Sequence, residues 1–430
     1  MSYLYVDDGL LLGHNACEAG ELHCQDGVVV YCGPAIGAPR PPAGARRLSA
    51  QEGLVLPGFI NSHCHAAMTL LRGVADDLEL HTWLNQHIFP LESKLTQEAI
   101  YWGSLLACLE MIKSGITCFA DMYYHPHQTA KAVRQAGIRA VLGETLLDVL
   151  MDTPGKQQRN ISLVQELVAA YQGSPDIKPS LNLHSVYTCS PALLQLGNEL
   201  SASLDIGLHM HLCETMEEVN GCVASYGRPP VAHLHELGLL SSRLWVAHGV
   251  WITPEEAMLL AEKGVSVAHC PNSNMKLCSG RADVPGLLAA GVEVGLATDG
   301  CASNNRLDMF SEMDVCAKLH KLGAMDPTVL PAKQVAQMAT SYSAQVVGWP
   351  ELGRLQPGSP ADFIVINTNQ SHLTPMVSPM SHLVYAARAA DVMHTVCQGK
   401  VLMEDRQLLH LDEQEIMAKA REQQKTLFSG

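Results

Sequence analysis

Two histidines one residue apart, His63 and His65, end the apolar run Leu54-Val-Leu-Pro-Gly-Phe-Ile-Asn-Ser-His-Cys-His. Side chains alternate faces along a strand, so these two imidazoles point the same way. Paired neutral imidazoles are a preferred donor set for zinc or iron(II). Two surface histidines would give the same pattern, so the rest of the chain has to decide between a metal enzyme and an ordinary strand end.

The composition limits the kind of partner. The chain has 430 residues, 47% of them hydrophobic, and a formal net charge of -15. It can bury a large core and exceeds the usual size of one compact domain. A negative chain without a Lys/Arg cluster repels a phosphate backbone, so nucleic acid and anionic membranes are poor candidate partners. A neutral or cationic small molecule fits better.

Targeting and redox features point to the cell interior. The N-terminus lacks a basic region, and no charge-free apolar run approaches membrane-spanning length, which predicts a soluble, cytoplasmic protein. The 14 cysteines are scattered through apolar segments without a C-x-x-C pair. A chain of this size does not need covalent staples, so we expect reduced core thiols.

The chain divides into three zones. Residues 1–56 and 355–430 contain short strand-like runs broken by Gly and Pro, and a charged helical tail follows near 412–426. Residues 57–354 alternate apolar β-branched runs with helix-like stretches, as parallel βα units do. We therefore predict an α/β chain in which a (β/α)8 TIM-like barrel is inserted into a small β-sandwich built from both chain ends.

The middle zone contains eight such runs, and eight βα units make a barrel whose catalytic groups sit at the carboxyl ends of the strands. Most of the runs end in His or Asp. Core histidines bonded to the backbone would explain one or two of these, but not a repeated placement at one rim. The rim residues, in strand order, are His63 and His65, Asp121, His184, His209 and His211, His248, His269, and Asp299.

From this rim we select His63, His65, His211 and Asp299 as ligands of one divalent metal ion, with one position left for water. His209 shares its strand parity with His211, so geometry alone leaves the choice between them open. Strand 4 carries no lysine near its rim end, which argues against a bridged pair of metal ions.

The motifs resemble those of the amidohydrolase superfamily over nearly the whole chain. They are Pro57-Gly-Phe-Ile-Asn-Ser-His-Cys-His, His209-Met-His-Leu-Cys-Glu-Thr, Val246-Ala-His-Gly-Val and Leu296-Ala-Thr-Asp-Gly-Cys-Ala-Ser-Asn-Asn. Phe89-Pro-Leu-Glu-Ser-Lys-Leu-Thr and Leu183-His-Ser-Val-Tyr-Thr-Cys-Ser are similar to the 5′-methylthioadenosine/S-adenosylhomocysteine deaminases.

The resemblance implies zinc as the usual metal, with Fe2+ as the alternative, and it favours His211 over His209. It also implies that Glu92 holds the ribose diol, that His184 contacts the nucleoside, and that the protein is a homo-oligomer.

Deamination of an adenine nucleoside needs a hydroxide, a proton for the ring nitrogen and an ammonia leaving group. A metal ion lowers the pKa of bound water towards about 7. We expect Asp299 to take the water proton and pass it to the leaving amine, Glu214 to protonate N1, and His248 to stabilise the developing charge. Without the resemblance, Glu214 is explained equally well as a helix-starting residue. The alternatives for His248 and Glu92 are a core histidine and a solvated first-turn carboxylate.

A departure from the family concerns the substrate's far end. Relatives that hold the carboxylate of homocysteine use two arginines after strand 3, and the first of these positions falls here near Glu144, where an acid should repel that group. Arg159 is the candidate for the second position. We therefore expect 5′-methylthioadenosine, which lacks the carboxylate, to be the better substrate.

Other interpretations share parts of this pattern. Another amidohydrolase, such as a guanine deaminase or a triazine chlorohydrolase, would have the same barrel and metal set but no ribose for Glu92. A non-catalytic scaffold should lack ligands or the acid, and none is missing here. Nucleoside deaminases with H-x-E and P-C-x-x-C signatures are excluded because neither signature occurs.

We expect Trp83 to be core and Cys64 to face the barrel wall, and we assign no role to Asp121 or His269.

Overall fold

The computed structural model describes residues 2–12, 17–148 and 156–429. Its strands are β1 (Tyr3–Leu12), β2 (Cys17–Gln25), β3 (Val28–Pro34), β4 (Arg46–Ser49), β5 (Leu54–Pro57), β6 (Phe59–Cys64), β7 (Ile116–Tyr123), β8 (Arg139–Leu146), β9 (Ile177–Leu183), β10 (Gly207–Leu212), β11 (Leu244–His248), β12 (Ser266–His269), β13 (Val294–Leu296), β14 (Phe363–Ile366), β15 (Val392–Cys397), β16 (Lys400–Glu404) and β17 (Gln407–Leu408).

Most of the helices separate the middle strands, and the last ones follow the barrel in the chain. They are α1 (Leu80–Trp83), α2 (Phe89–Glu92), α3 (Gln97–Lys113), α4 (Pro126–Ala136), α5 (Lys156–Tyr171), α6 (Pro191–Leu204), α7 (Met216–Tyr226), α8 (Pro230–Glu236), α9 (Pro254–Lys263), α10 (Pro271–Lys276), α11 (Val284–Ala290), α12 (Met309–Ala324), α13 (Ala332–Met338), α14 (Ser341–Val346), α15 (Pro379–Tyr385) and α16 (Glu413–Ser429). A π-helical turn, Leu84–Ile88, joins α1 to α2. None of the described helices is long and apolar enough to cross a membrane.

The predicted barrel is confirmed. Strands β6 to β13 form one parallel sheet in which each strand pairs with its neighbour in the chain. Every residue of β7 and of β8 is buried, as expected where a parallel sheet is covered on both faces. Gly58 lies just before β6, and a Cβ there would sit 2.2 Å from Thr117 Oγ1. Only glycine fits where the chain enters the barrel.

The first and last barrel strands meet at a seam of backbone and side-chain hydrogen bonds. The Asp299 N–H donates to the His63 carbonyl at 3.1 Å. The Thr298 N–H donates to Asn61 Oδ1 at 2.9 Å, and the Ser62 hydroxyl donates to the Leu296 carbonyl at 2.8 Å. This seam brings the end of β6 beside the segment that follows β13.

The predicted second unit is also confirmed, because both chain ends contribute to one sheet of order β17-β16-β15-β14-β5-β1-β2-β3, in which β4 also pairs with β1. Its strands enclose their own apolar core, to which Leu22, Val55 and Phe363 contribute. The division at 1–56, 57–354 and 355–430 stays a prediction. In the structure, β5 (Leu54–Pro57) pairs with strands of the terminal sheet.

A buried ion pair ties the barrel to the terminal sheet. Arg139, the first residue of β8, donates from Nε to Asp362 Oδ2 at 2.6 Å, and both side chains are almost fully buried. Asp362 also accepts the Gln398 N–H at 2.6 Å. Removing one partner would leave the other charge buried without compensation, which is costly.

We predict that Arg139→Met lowers the free energy of unfolding by about 3–5 kcal/mol, measured by urea denaturation. Adding Asp362→Leu to it should restore part of the loss. The matched control is Lys318→Met, which removes the exposed pair with Asp314 and should cost at most about 1 kcal/mol. Equal losses for Arg139→Met and Lys318→Met would contradict the assignment.

Candidate metal centre and substrate cavity

Four side chains converge at the barrel rim beside the seam. His63 and His65 come from the end of β6, His211 from the end of β10, and Asp299 from the segment after β13. Asp299 Oδ1 lies 3.2 Å from Nε2 of His63 and 3.2 Å from Nε2 of His65. Nε2 of His211 lies 3.4 Å from Nε2 of His65. One atom from each side chain therefore faces a common point.

These spacings suit a single divalent cation. Metal–ligand distances of about 2.0–2.1 Å in a tetrahedral site place neighbouring donors about 3.3 Å apart. His63 Nε2 and Asp299 Oδ1 are buried and have no hydrogen-bond partner. Buried polar atoms without partners are rare because desolvation is costly, and a cation at the common point would satisfy both.

Backbone carbonyls orient two of the imidazoles. His65 Nδ1 lies 2.6 Å from the Met122 carbonyl oxygen, and His211 Nδ1 lies 2.8 Å from the His184 carbonyl oxygen. Each Nδ1 therefore carries the proton and donates it, which leaves both Nε2 lone pairs for a metal ion.

Two serines orient the carboxylate. Asp299 Oδ2 accepts the hydroxyls of Ser273 at 2.6 Å and Ser303 at 2.7 Å, which leaves Oδ1 directed at the histidines. The backbone of Asp299 has φ +60° and that of His248 has φ +73°. Left-handed conformations of such residues are strained and cluster at functional sites.

His209 takes a supporting place. Its Nε2 lies 3.1 Å from Nδ1 of His63, on the side of that ring away from the common point. Its ring stacks on Trp245, with centroids 4.5 Å apart. The geometry therefore gives His211, and not His209, access to the point shared by the four donors.

A cavity opens above this point. Its volume is about 550 Å³ including the mouth, within the usual range of small-molecule sites. It is lined by His65, Met68, Leu80, Trp83, Leu84, Phe89, Glu92, Met122, Tyr123, Tyr124, Thr145, His184, Tyr187, His211, Glu214, His248, Leu277, Asp299 and Ser303.

Glu214 faces the cavity and is not used as a helix cap. The Thr215 side chain caps α7 by accepting the Glu218 N–H at 3.1 Å, and Glu218 in turn accepts the Glu214 N–H at 2.8 Å. Glu214 Oε1 accepts the Ser279 hydroxyl at 3.2 Å. Burial raises the pKa of Glu214, and the nearby His248 opposes that shift. Its carboxyl can therefore carry a proton nearer neutral pH than an exposed glutamate.

His248 lies between the four donors and Glu214. Its Nδ1 is 2.9 Å from Asn274 Oδ1, and its Nε2 is 3.7 Å from Glu214 Oε2. Its ring stacks on that of His211, with centroids 5.4 Å apart. His248 does have a satisfied nitrogen, as a core histidine would, but its second nitrogen faces the site.

Glu92 and His184 lie on the cavity wall. Glu92 is only 8% exposed, so it is not a solvated carboxylate in the first turn of a helix. Burial raises the pKa of Glu92 to about 7, and Tyr123 opposes the shift. The His184 ring is oriented by Thr188, whose hydroxyl lies 2.9 Å from Nδ1. Burial lowers the pKa of His184 to about 3, so its ring is neutral.

Comparison with known proteins identifies the family. The model of the amidohydrolase family matches residues 54–402. The chain belongs to the amidohydrolase family. The 5-methylthioadenosine/S-adenosylhomocysteine deaminase of Syntrophobacter fumaroxidans is 47% identical to this amidohydrolase over 94% of this chain and 92% of its own. The predicted resemblance to that group is therefore confirmed.

Two further comparisons bear on the site. The 5′-deoxyadenosine deaminase of Methanosarcina mazei is 45% identical over 87% of this chain and 86% of its own. Among solved structures, an adenosine deaminase from Xanthomonas campestris with bound zinc superposes with a TM-score of 0.96, at 34% identity and 99% coverage of both chains.

Arg159 lies apart from the cavity of this amidohydrolase. It is exposed on α5 and does not line the cavity. It is close enough to His125 to lower the pKa of that ring, although burial contributes more. Glu144 is buried and accepts the His125 N–H at 3.0 Å, and it does not line the cavity either. The segment 149–155 before Arg159 lies outside the described residues, so the role of Arg159 in substrate binding stays a prediction.

Several lining residues were not predicted individually. Trp83, which we expected to be core, is buried and also lines the cavity. Tyr187 and Ser303 lie inside the motifs quoted above, so those motifs could have identified them.

Asp121 has a structural role, because its Oδ1 accepts the Ala66 N–H at 2.7 Å and so fixes the turn after His65. Cys64 lies 3.9 Å from the same oxygen, away from the donors.

Substitution can separate the two histidines of β10. We predict that His211→Asn loses bound zinc on dialysis because it removes a donor. His209→Asn should keep one zinc ion per chain and weaken its affinity by about 10–100-fold, as loss of an orienting partner does. Elemental analysis and competition with a chelator measure both effects. Retention of zinc by His211→Asn together with its loss from His209→Asn would reverse the assignment.

Proposed function

We propose that this amidohydrolase catalyses the metal-dependent hydrolytic deamination of an adenine nucleoside, with 5′-methylthioadenosine as the preferred substrate, to the inosine analogue and ammonia. The observation that carries the proposal is one cavity lined by three of the four metal donors, His65, His211 and Asp299, together with two buried carboxyls, Glu214 and Glu92. The deaminase names of the relatives support it.

His63, His65, His211 and Asp299 would hold the metal ion, for which we propose zinc, with Fe2+ as the alternative. When bound, such an ion polarises water and lowers its pKa towards about 7. The zinc in the related adenosine deaminase structure supports this choice.

The remaining steps belong to the protein's side chains. Glu214, whose carboxyl favours the protonated form through burial, gives a proton to N1 and thereby makes C6 electrophilic. Asp299 accepts the proton of the attacking water and delivers it to the leaving amine. His248, held at Nδ1 by Asn274, directs Nε2 at the same region and stabilises the charge that develops during attack.

The rest of the cavity would recognise the nucleoside. Glu92 accepts hydrogen bonds from the two ribose hydroxyls, and the neutral His184 contacts the purine. Leu80, Trp83 and Phe89 give the wall an apolar surface, which suits a methylthio group. No Lys or Arg is among the described residues that line the cavity. A substrate carboxylate would find no cationic partner there, unless Arg159 and the segment before it reach the ligand.

Three broader features remain proposals. We propose a homo-oligomeric, cytoplasmic enzyme with a small-molecule substrate as its partner. Action on a free base or a triazine ring is the alternative activity, and the nucleoside-deaminase names of the relatives do not favour it. A non-catalytic scaffold is disfavoured because three of the four proposed ligands line one cavity with the acid Glu214.

An ammonia-release assay over 5′-methylthioadenosine, S-adenosylhomocysteine, adenosine, guanine and a chlorinated triazine tests the proposal. We expect kcat/KM to be highest for 5′-methylthioadenosine, and at least about tenfold below it for S-adenosylhomocysteine. An unpaired buried carboxylate costs more than the 1.4 kcal/mol that a tenfold change represents. Chloride release has to be followed for the triazine.

The control for this assay is Glu214→Gln, which retains all four metal donors. It should keep its zinc and lower kcat by about 10²–10⁴-fold, the usual contribution of a general acid. Activity on guanine or the triazine alone would overturn the nucleoside assignment. A preference for S-adenosylhomocysteine would overturn only the choice of substrate.

The role of Glu92 can be tested with a substrate that lacks the diol. We predict that Glu92→Gln lowers kcat/KM for adenosine by about 10–100-fold, the value of charge-assisted hydrogen bonds, and leaves 2′,3′-dideoxyadenosine nearly unaffected. The ionised carboxylate is the acceptor and its pKa is about 7, so KM for adenosine should fall as pH rises through 7. The Glu92→Gln enzyme should lack that dependence. Equal losses for both substrates would refute contact with the diol.

A further inference from the structure

A second group of metal-type side chains lies outside the substrate cavity. His269 ends β12, and Cys316 and His320 lie four residues apart on α12, so they share one face of that helix. One nitrogen from each ring and the sulfur lie within 4.8 Å of one another. All three side chains are buried, and none of them lines the substrate cavity.

The two rings do not satisfy each other. His269 and His320 approach through their Nε2 atoms at 3.1 Å. The Nδ1 atoms of both rings are buried and have no partner. Two neutral rings that share one hydrogen bond leave one Nδ1 proton without an acceptor and one Nδ1 lone pair without a donor. Each such group costs about 1–3 kcal/mol. An ion bound at the two facing Nε2 atoms would replace the hydrogen bond between the rings.

The protonation states suit a metal ion. Burial lowers the pKa of His269 far below its usual range. Burial and the nearby Arg281 lower the pKa of His320 to about 4, and Asp283 opposes that shift. Both rings are therefore neutral at pH 7, the form that coordinates metals. Burial raises the pKa of the Cys316 thiol well above its usual range, and a metal ion would have to reverse this shift, because a thiol bound to a metal ion is deprotonated outright.

Charge decides which ion fits. A divalent ion with one thiolate would leave a net positive charge in a buried site, because the neighbouring Arg281 and Asp283 act on His320 with opposite charges that offset each other. Glu312, one turn before Cys316, is not among the three donors, and its Oε1 accepts hydrogen bonds from the side chains of Asn272 and Asn304. A monovalent ion with one thiolate and two imidazoles is neutral. Thiolate and imidazole donors suit copper(I) as well as zinc, so the charge of the site favours copper(I).

We propose that His269, Cys316 and His320 form a second, three-coordinate site, which binds one copper(I) ion. On binding, the Cys316 S–H bond breaks, the proton leaves to solvent, and the sulfur binds the ion through its electron pair. No electron is transferred. The site is independent of the proposed deamination.

The test is an anaerobic titration of the zinc-loaded enzyme with copper(I) buffered by bicinchoninate. Since 14 cysteines are present, the difference between variants is the measurement. Wild type and Cys108→Ala, which removes a buried thiol from α3, should bind one more copper(I) per chain than Cys316→Ala. His320→Asn should also lose this equivalent. X-ray absorption at the copper edge should show one sulfur and two nitrogen neighbours in wild type.

Zinc content and nucleoside deamination should be unchanged in Cys316→Ala, which shows that this variant is folded. Equal copper binding by Cys316→Ala and Cys108→Ala would overturn the proposal. Binding of a second zinc ion that depends on Cys316, without such binding of copper(I), would overturn the choice of ion.

Discussion

The hydrogen bond from the Asp299 N–H to the His63 carbonyl is the contact on which the rest of the site depends. It lies where the first and last barrel strands meet, at 3.1 Å, and it sets these two residues side by side. A carboxylate from the end of the barrel's eighth strand and two imidazoles from its first can share an ion only if the barrel closes in this register. Closure of the fold and assembly of the four donor side chains are therefore one event.

The cost of this arrangement is concentrated in a small volume. Glu92, Glu214 and Glu218 are all buried carboxyls whose pKa burial raises, and Asp299 and His248 hold left-handed backbone conformations. Such features oppose folding. Fully buried parallel strands, and the Arg139–Asp362 ion pair that ties β8 to the terminal sheet, supply the rigidity that holds them in place. The barrel strands stabilise the fold, and the residues with strained backbones, Asp299 and His248, lie at the carboxyl ends of those strands.

Much of this could be predicted from sequence because the barrel puts chemistry at strand ends. Each of the eight predicted strands exists, and His63, His65, His211 and Asp299 converge as their positions after strands required. The role of His209 could not be predicted, since strand parity gives two histidines the same face and only depth separates them. The cavity wall was harder still. Glu92 and Trp83 lie on short helices joined by a π-helical turn, and no periodicity in the sequence specifies how such a segment packs.

This division between strand ends and connecting segments also explains how one barrel can serve different substrates. The groups proposed to move protons lie at or just after barrel strands, where backbone hydrogen bonds on both sides fix them. The groups proposed to select the nucleoside lie largely on the segment 80–92, whose sequence can change without disturbing the sheet. Selection against a substrate carboxylate needs no dedicated group in such a design. In the proposed function, an acid-rich cavity whose described walls carry no Lys or Arg would oppose a substrate carboxylate through the cost of its desolvation.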